Sequence, residues 1–252
     1  MLFRPAQPSP ATATEPATFR VRVGVEEILV TLRRNLRARR YTLRVRAATR
    51  DVVLTLPARG TVNEAYDFAR RHAGWIKLRL DRLPQAVAFL PGAVIPLRGI
   101  PHPILHVPEA RGTVWVGQVE GGPALCVAGE VAHVGRRVTD FLKREARRDL
   151  LEASRRHAAA LGVSITRVTL RDTASRWGSC SAKGALSYSW RLIFAPAFVL
   201  DYLAAHEVAH RREMNHGPRF WATVDRLFPA RAQAEAWLKT RGAELHRYGA
   251  DD

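Results

Sequence analysis

Between Tyr41 and Leu56 apolar and polar positions alternate: Tyr41, Leu43 and Val45 lie opposite Thr42, Arg44 and Arg46, and Val52, Leu54 and Leu56 resume the pattern. A period of two puts one set on each face of a strand, so residues 19–58 are expected to form antiparallel strands with an arginine-rich outer face. The period then changes. Thr61 and Glu64 have the spacing of a capping box, and Ala65, Phe68, Ala69, His72, Ile76 and Leu80 follow as a helical stripe that ends near Pro84.

Residues 89–130 are short apolar runs broken by Pro91-Gly92, Gly99, Pro101, Pro103, Gly112 and Gly121-Gly122, the punctuation of small hairpins. Val138, Phe141, Leu142, Leu150 and Leu151 restore a helical period over 134–161, and Gly162 is a natural stop. Strand patterns return at 165–170, and a hairpin around Lys183-Gly184 is expected to join 177–180 to 186–194. Beyond Pro196, which suits a first helical position, Phe198, Val199, Tyr202, Leu203 and His206 recur at the spacing of a buried helix face. No internal repeat is visible. Strand-rich segments followed by helices make the class α+β.

Composition narrows the setting. With 252 residues, 47% of them hydrophobic, the chain can bury a substantial core. Its longest clean apolar stretch, 192–200, is interrupted by Pro196 and is far short of the ~20 residues that span a bilayer. The first eighteen residues are rich in Pro, Ala and Thr without an apolar block behind a basic start. They read as a disordered tail and not as a secretory signal. Two cysteines, Cys126 and Cys180, are too few for a disulfide framework, which suits the cytoplasm. The formal net charge of +17 comes almost wholly from arginine and favours encounter with polyanions. Arg33, Arg34, Arg37, Arg39, Arg40, Arg44 and Arg46 make nucleic acid a possible partner of the N-terminal strands. A coding bias toward arginine at solvated positions accounts for the same charge.

The densest chemistry is HEVAHRREMNH, residues 206–216. On a helix turning ~100° per residue, His206 and His210 stand one turn apart and about 40° apart around the axis, so both can grip one ion. Glu207 projects about 60° from His210, close enough to reach a water beside that ion without ligating it. Two neutral nitrogens and a carboxylate in this order are the His-Glu-x-x-His arrangement of zinc peptidases. His216 would sit about 9 Å further along a continuous helix and out of reach. The helix must therefore stop. Asn215 tolerates left-handed backbone, and Pro218 pushes Gly217 out of the helical region and can open the next helix, through Phe220, Trp221, Val224 and Leu227. Three protein nitrogens would leave a tetrahedral Zn2+ one open position, the mark of a catalytic site. Two rival ligand sets compete. A glutamate from a later helix, Glu235 or Glu244, could replace His216. The metzincin spacing is reproduced too, but Glu213 stands at its turn glycine and no methionine follows Met214.

RWGSCSAKGALSYSWRLIFAP, DYLAAHEVAHRREMNHGPRFW and the order of parts before them resemble the YgjP-like metal-dependent hydrolases, relatives of the SprT and Spartan-like zinc proteases, over residues 30–227. The resemblance implies His206, His210 and His216 as zinc ligands, Glu207 as catalytic base, and a protein or peptide substrate. It also implies a zincin-like protease core with the His-Glu-x-x-His helix, preceded by an antiparallel β-rich accessory region. The expected division is a disordered tail at 1–18, a β-rich accessory region with one helix at 19–130, and the metallopeptidase core at 131–252. In related zincins extended substrate pairs with a strand edge beside the metal, and Arg176, Trp177, Gly178, Ser179 and Cys180 are the candidate neighbourhood. The plain alternative is a packing tryptophan, a bulge glycine and a buried thiol. Cys180 could also reach the zinc as an inhibitory thiolate. Arg176, Tyr188 and His157 remain open as the oxyanion-stabilising group.

Overall fold

The structure, a computed structural model, describes residues 18–46, 50–83, 85–173 and 176–249. The chain divides into two compact units, Met1–Leu83 and Pro84–Asp252. The expected tail lies outside the described residues up to position 17, and Thr18 already begins a strand.

In the first unit β1 (Thr18–Val23), β2 (Glu26–Arg34), β3 (Thr42–Val45) and β4 (Val52–Leu56) form one sheet in the order β1-β2-β4-β3. The β1-β2 and β3-β4 pairs are antiparallel, but β2 and β4 run parallel, so the expected all-antiparallel set is a mixed sheet. The reason lies in β4. Val53 and Leu54 are both buried although they point to opposite faces, so this strand must be central, while β3 with Thr42 and Arg44 exposed takes the edge. Arg20, Arg22, Arg33 and Arg44 are exposed as expected.

The capping box forms: Thr61 Oγ1 accepts from Glu64 N at 3.2 Å and Glu64 Oε2 accepts from Thr61 N at 2.9 Å. The single expected helix is two, α1 (Val62–Arg71) and α2 (Ala73–Asp81), bent at His72, where ψ is 13°. Gly74, a poor helix former, lies two residues beyond the bend. Ala65, Ala69 and Ile76 turn inward against Val21, Val30, Leu32, Leu54 and Leu56.

The second unit holds two sheets and a helical layer. The hairpins β5 (Val94–Leu97) with β6 (Ile100–His106) and β7 (Val114–Val119) with β8 (Gly122–Val127) join through a parallel β6-β8 pair. Their inward residues Ile95, Leu97, Ile104, Val114, Leu125 and Val127 share one core with Val134, Val138 and Phe141 of α3 (Val134–Leu161). The compact units meet at Leu83/Pro84, and the hairpins of 94–127 share their core with α3. Gly162 ends α3 with φ 67°, the left-handed cap that glycine adopts without strain.

β9 (Arg167–Arg171), β10 (Gly178–Cys180) and β11 (Ala185–Ser189) form a second sheet in the order β10-β11-β9, with β10 at the edge. The strand expected over 186–194 stops at Ser189 and continues as a 3-10 turn, Trp190–Phe194. All five turn residues are buried, and an uninterrupted buried run has no period by which strand and turn can be told apart. Arg191 enters this core with its charge met by Asp172 Oδ1 and Oδ2 at 2.6 and 3.0 Å. α4 (Ala197–Ala209), α5 (Pro218–Leu227), α6 (Arg231–Arg241) and the 3-10 turn Gly242–Arg247 complete the unit. No helix among the described residues is long and apolar enough to cross a membrane.

Candidate metal centre

α4 is buried along most of its length, and its last turn carries His206 and Glu207, with His210 as the residue that closes it. The chain then reverses. Glu213 N donates to Ala209 O at 3.1 Å and Gly217 N to Asn215 O at 2.8 Å, which folds His216 back toward the helix end. Asn215 does not take the left-handed conformation expected of it; Arg50 and Arg98 are the non-glycine residues with positive φ among those described. Gly217 is extended at ψ −179°, as Pro218 requires of its predecessor, and Pro218 opens α5.

His206, His210 and His216 come together. One ring nitrogen from each lies within 4.8 Å of the others, and His206 Nε2 is 3.1 Å from His216 Nε2. Two nitrogens bound tetrahedrally at ~2.0–2.1 Å stand about 3.3 Å apart, so this pair is already at ligand spacing. Hydrogen bonding sets the tautomers. His210 Nδ1 lies 3.1 Å from the Glu213 carbonyl oxygen, which can only accept, so Nδ1 carries the hydrogen and Nε2 the lone pair. Burial and the neighbouring imidazoles hold His206 down to about 3, and burial likewise lowers His210. Both rings are therefore neutral near pH 7, the form that binds a cation. The donor set, nitrogen only and convergent, fits a divalent metal of borderline softness.

Glu207 is 4% exposed, and burial lifts its carboxyl to about 8 against the opposing charge of Arg176. It lies on the backbone of β10: a Cβ built on Gly178 would fall 2.4 Å from Glu207 Oε1 and 2.8 Å from Cγ. Any side chain at position 178 would displace the carboxylate. Gly178 thus packs directly against Glu207, and the pairs Gly178–Tyr188, Ser179–Ser187 and Cys180–Leu186 fix the strand in place. Trp177 stacks on His246 at 4.9 Å, a packing role. Burial and the Glu207 charge raise the Cys180 thiol, whose Sγ donates to Ser181 O at 3.3 Å, so Cys180 is a protonated thiol and lies outside the three-histidine cluster.

Of the three oxyanion candidates, Tyr188 is committed to Ser154 at 3.0 Å and His157 to Asp201 at 2.7 Å, while Arg176 is exposed and its charge acts on Glu207. The rival ligands are engaged elsewhere. Glu235 accepts from Tyr202 and Arg231, and Glu244 from Arg241.

Three neighbours, Phe220, Trp221 and Tyr202, were not visible in the sequence as site residues, and Glu235 was visible only as a rival ligand. The Phe220 ring lies 4.9, 4.5 and 4.7 Å from those of His206, His210 and His216, a floor beneath all three. Trp221 stacks on His216 at 5.6 Å. Tyr202 and Glu235 stand behind His206. Phe220, Trp221 and Tyr202 carry helical-period signals indistinguishable from ordinary core.

Three imidazoles beside a buried carboxylate suit metal-dependent hydrolysis. A family model described as YgjP-like, metallopeptidase domain, matches residues 39–241. The chain belongs to this family and is a metallopeptidase. No curated protein matches it. Among solved structures, the metallopeptidase zymogen of Pyrococcus abyssi abylysin is similar at 22% identity, with a TM-score of 0.34, over 36% of this chain and 93% of that one.

Proposed function

We propose that the protein is a zinc-dependent peptidase of zincin-like build, with His206, His210 and His216 as ligands and Glu207 as general base. The observation that carries this is the convergence of three imidazoles at the end of α4, two of them held neutral by burial, beside a carboxylate whose proton affinity is raised toward neutrality. When bound, the ion supplies Lewis-acid polarisation of the scissile carbonyl and acidifies the water it holds. Glu207 takes the proton from the attacking water and returns it to the leaving amide nitrogen, a shuttle favoured by a pKa near the working pH. The free edge of β10 receives an extended peptide by strand pairing, beside Glu207 because Gly178 leaves room for no side chain between them. In this reading Arg176, whose charge already acts on Glu207, stabilises the developing oxyanion.

Purified protein should hold about one zinc per chain. Glu207→Gln should keep that zinc and lose peptide hydrolysis. Turnover retained in this variant removes Glu207 from the mechanism, and a chain that binds no divalent ion removes the metal centre altogether.

A further inference from the structure

The imidazoles at the end of α4 are braced from behind by α6. Tyr202 is 3% exposed; its hydroxyl donates to Glu235 Oε1 at 2.9 Å, and its oxygen lies 3.4 Å from His206 Nδ1. A carboxylate only accepts, so the single phenolic hydrogen is committed to Glu235 and the Tyr202 oxygen is left as an acceptor. His206 Nδ1 must then carry the ring hydrogen. Its Nε2 is left with the lone pair, and that nitrogen faces His216 Nε2 at 3.1 Å. Glu235 is itself held. Arg231, one turn earlier on α6, donates to Glu235 Oε2 at 3.1 Å and to Asp225 Oδ1 at 2.6 Å. The Arg231 guanidinium also lies 4.8 Å from the centre of the Trp221 ring, which stacks on His216 with an interplanar angle of 29°.

One ion pair on α6 therefore reaches two of the three imidazoles, His206 through Tyr202 and His216 through Trp221. We propose that α6 is a positioning clamp in which Glu235 and Tyr202 select the Nδ1–H tautomer of His206, while Arg231 and Trp221 set the plane of His216. Glu235, a rival for the third ligand position by sequence, stands behind a ligand and not on the ion. The clamp rests on the proposed zinc reading only in that the ion takes the Nε2 lone pairs. Outer partners of this kind fix tautomer and ring orientation, and their loss typically costs about 10–100-fold in metal affinity.

The test uses the full chain, 15N-labelled at histidine, with the tautomer of each ring read by NMR in the metal-free protein and zinc affinity measured by chelator competition. The wild type should show His206 protonated at Nδ1. Tyr202→Phe removes the acceptor, so His206 should populate both tautomers and zinc affinity should fall about 10–100-fold. His210, tied to the Glu213 carbonyl, should keep its tautomer and so report that the fold is intact. Glu235→Ala should behave as Tyr202→Phe, whereas Glu235→Gln, which still accepts from the phenol, should restore both readouts. The clamp is overturned if His206 carries its hydrogen on Nε2 in the wild type, or if Tyr202→Phe changes neither tautomer nor affinity. A wild-type chain that has the stated tautomer but binds no zinc overturns the zinc reading and supports the clamp.

Discussion

Two glutamates, one in each unit, are linked to a glycine that has no room for a methyl group, Glu64 through Tyr41 and Glu207 directly, and their fates differ. In the first unit a Cβ on Gly60 would meet Tyr41 Oη at 2.4 Å, and Tyr41 donates to Glu64 Oε2 at 2.6 Å. Glu64 also accepts from Thr61 N and Oγ1 at 2.9 and 3.0 Å, and these donors pull its carboxyl below the usual range. In the second unit Gly178 presses on Glu207, which no side-chain hydrogen bond reaches among the described residues and which burial pushes up to about 8. A carboxylate fully supplied with donors holds a helix end. One that is buried and undersupplied keeps its proton affinity and can exchange a proton near pH 7. Charge follows the same divide. Residues 18–83 carry sixteen Arg and Lys against six Asp and Glu, yet their core is wholly apolar, whereas the second unit buries His102, His157, Arg191, Glu207, His210 and His246.

The largest effect expected is on turnover. Glu207→Gln should lower peptide hydrolysis by about 10³-fold or more with zinc retained, while Glu64→Gln leaves hydrolysis unchanged. Equal losses in steady-state assays of the two variants would erase the contrast. The paired glycines come next. Gly178→Ala should cut hydrolysis about 10–100-fold by displacing Glu207, whereas Gly60→Ala should cost about 1–3 kcal/mol of stability through overpacking, with turnover intact. Denaturant titration alongside activity separates the two.

A third prediction concerns pH in the metal-free protein. Glu207 has a raised folded-state pKa, so its contribution to stability is present below the unfolded value of 4.5 and is lost as pH rises through about 8. His206 is depressed to about 3, so its contribution is present above 6.5 and is lost as pH falls below it. Replacing Glu207 by Gln should therefore stabilise the metal-free chain by about 4 kcal/mol at pH 8 and by well under ~1 kcal/mol at pH 4.5, read by urea denaturation. Glu64, depressed and exposed, should show the opposite sign, losing its contribution only in acid. The smallest effect is expected from Thr61→Ala, which removes the cap of α1 at about 1 kcal/mol and should leave zinc affinity untouched.

Local signals were legible in this chain because the forces behind them are local. The bounds of α3, its glycine stop, the Thr61-Glu64 box and the Pro218 start each depend on groups within a few residues of one another. The spacing of His206, Glu207 and His210 on one helix belongs to the same class. Asn215 is the instructive miss. The chain had to reverse there, but it did so through hydrogen bonds from Glu213 and Gly217 and without a left-handed residue.

Pairing and support lay beyond reach of the pattern. Period-two alternation says which face a residue takes but not which strand lies alongside, so the parallel β2-β4, β6-β8 and β9-β11 pairs could not be read. Residues 94–127 joined the α3 core because their apolar faces fit it, a decision about shape between distant segments. The sequence by itself determined that α4 would end in two imidazoles and a carboxylate on neighbouring faces, since the helical repeat allows nothing else. Only the tertiary structure brought Gly178 against Glu207, set Phe220 beneath three rings and hung Tyr202 between His206 and Glu235, because contacts between separate elements are chosen by packing and by the need to satisfy buried polar groups.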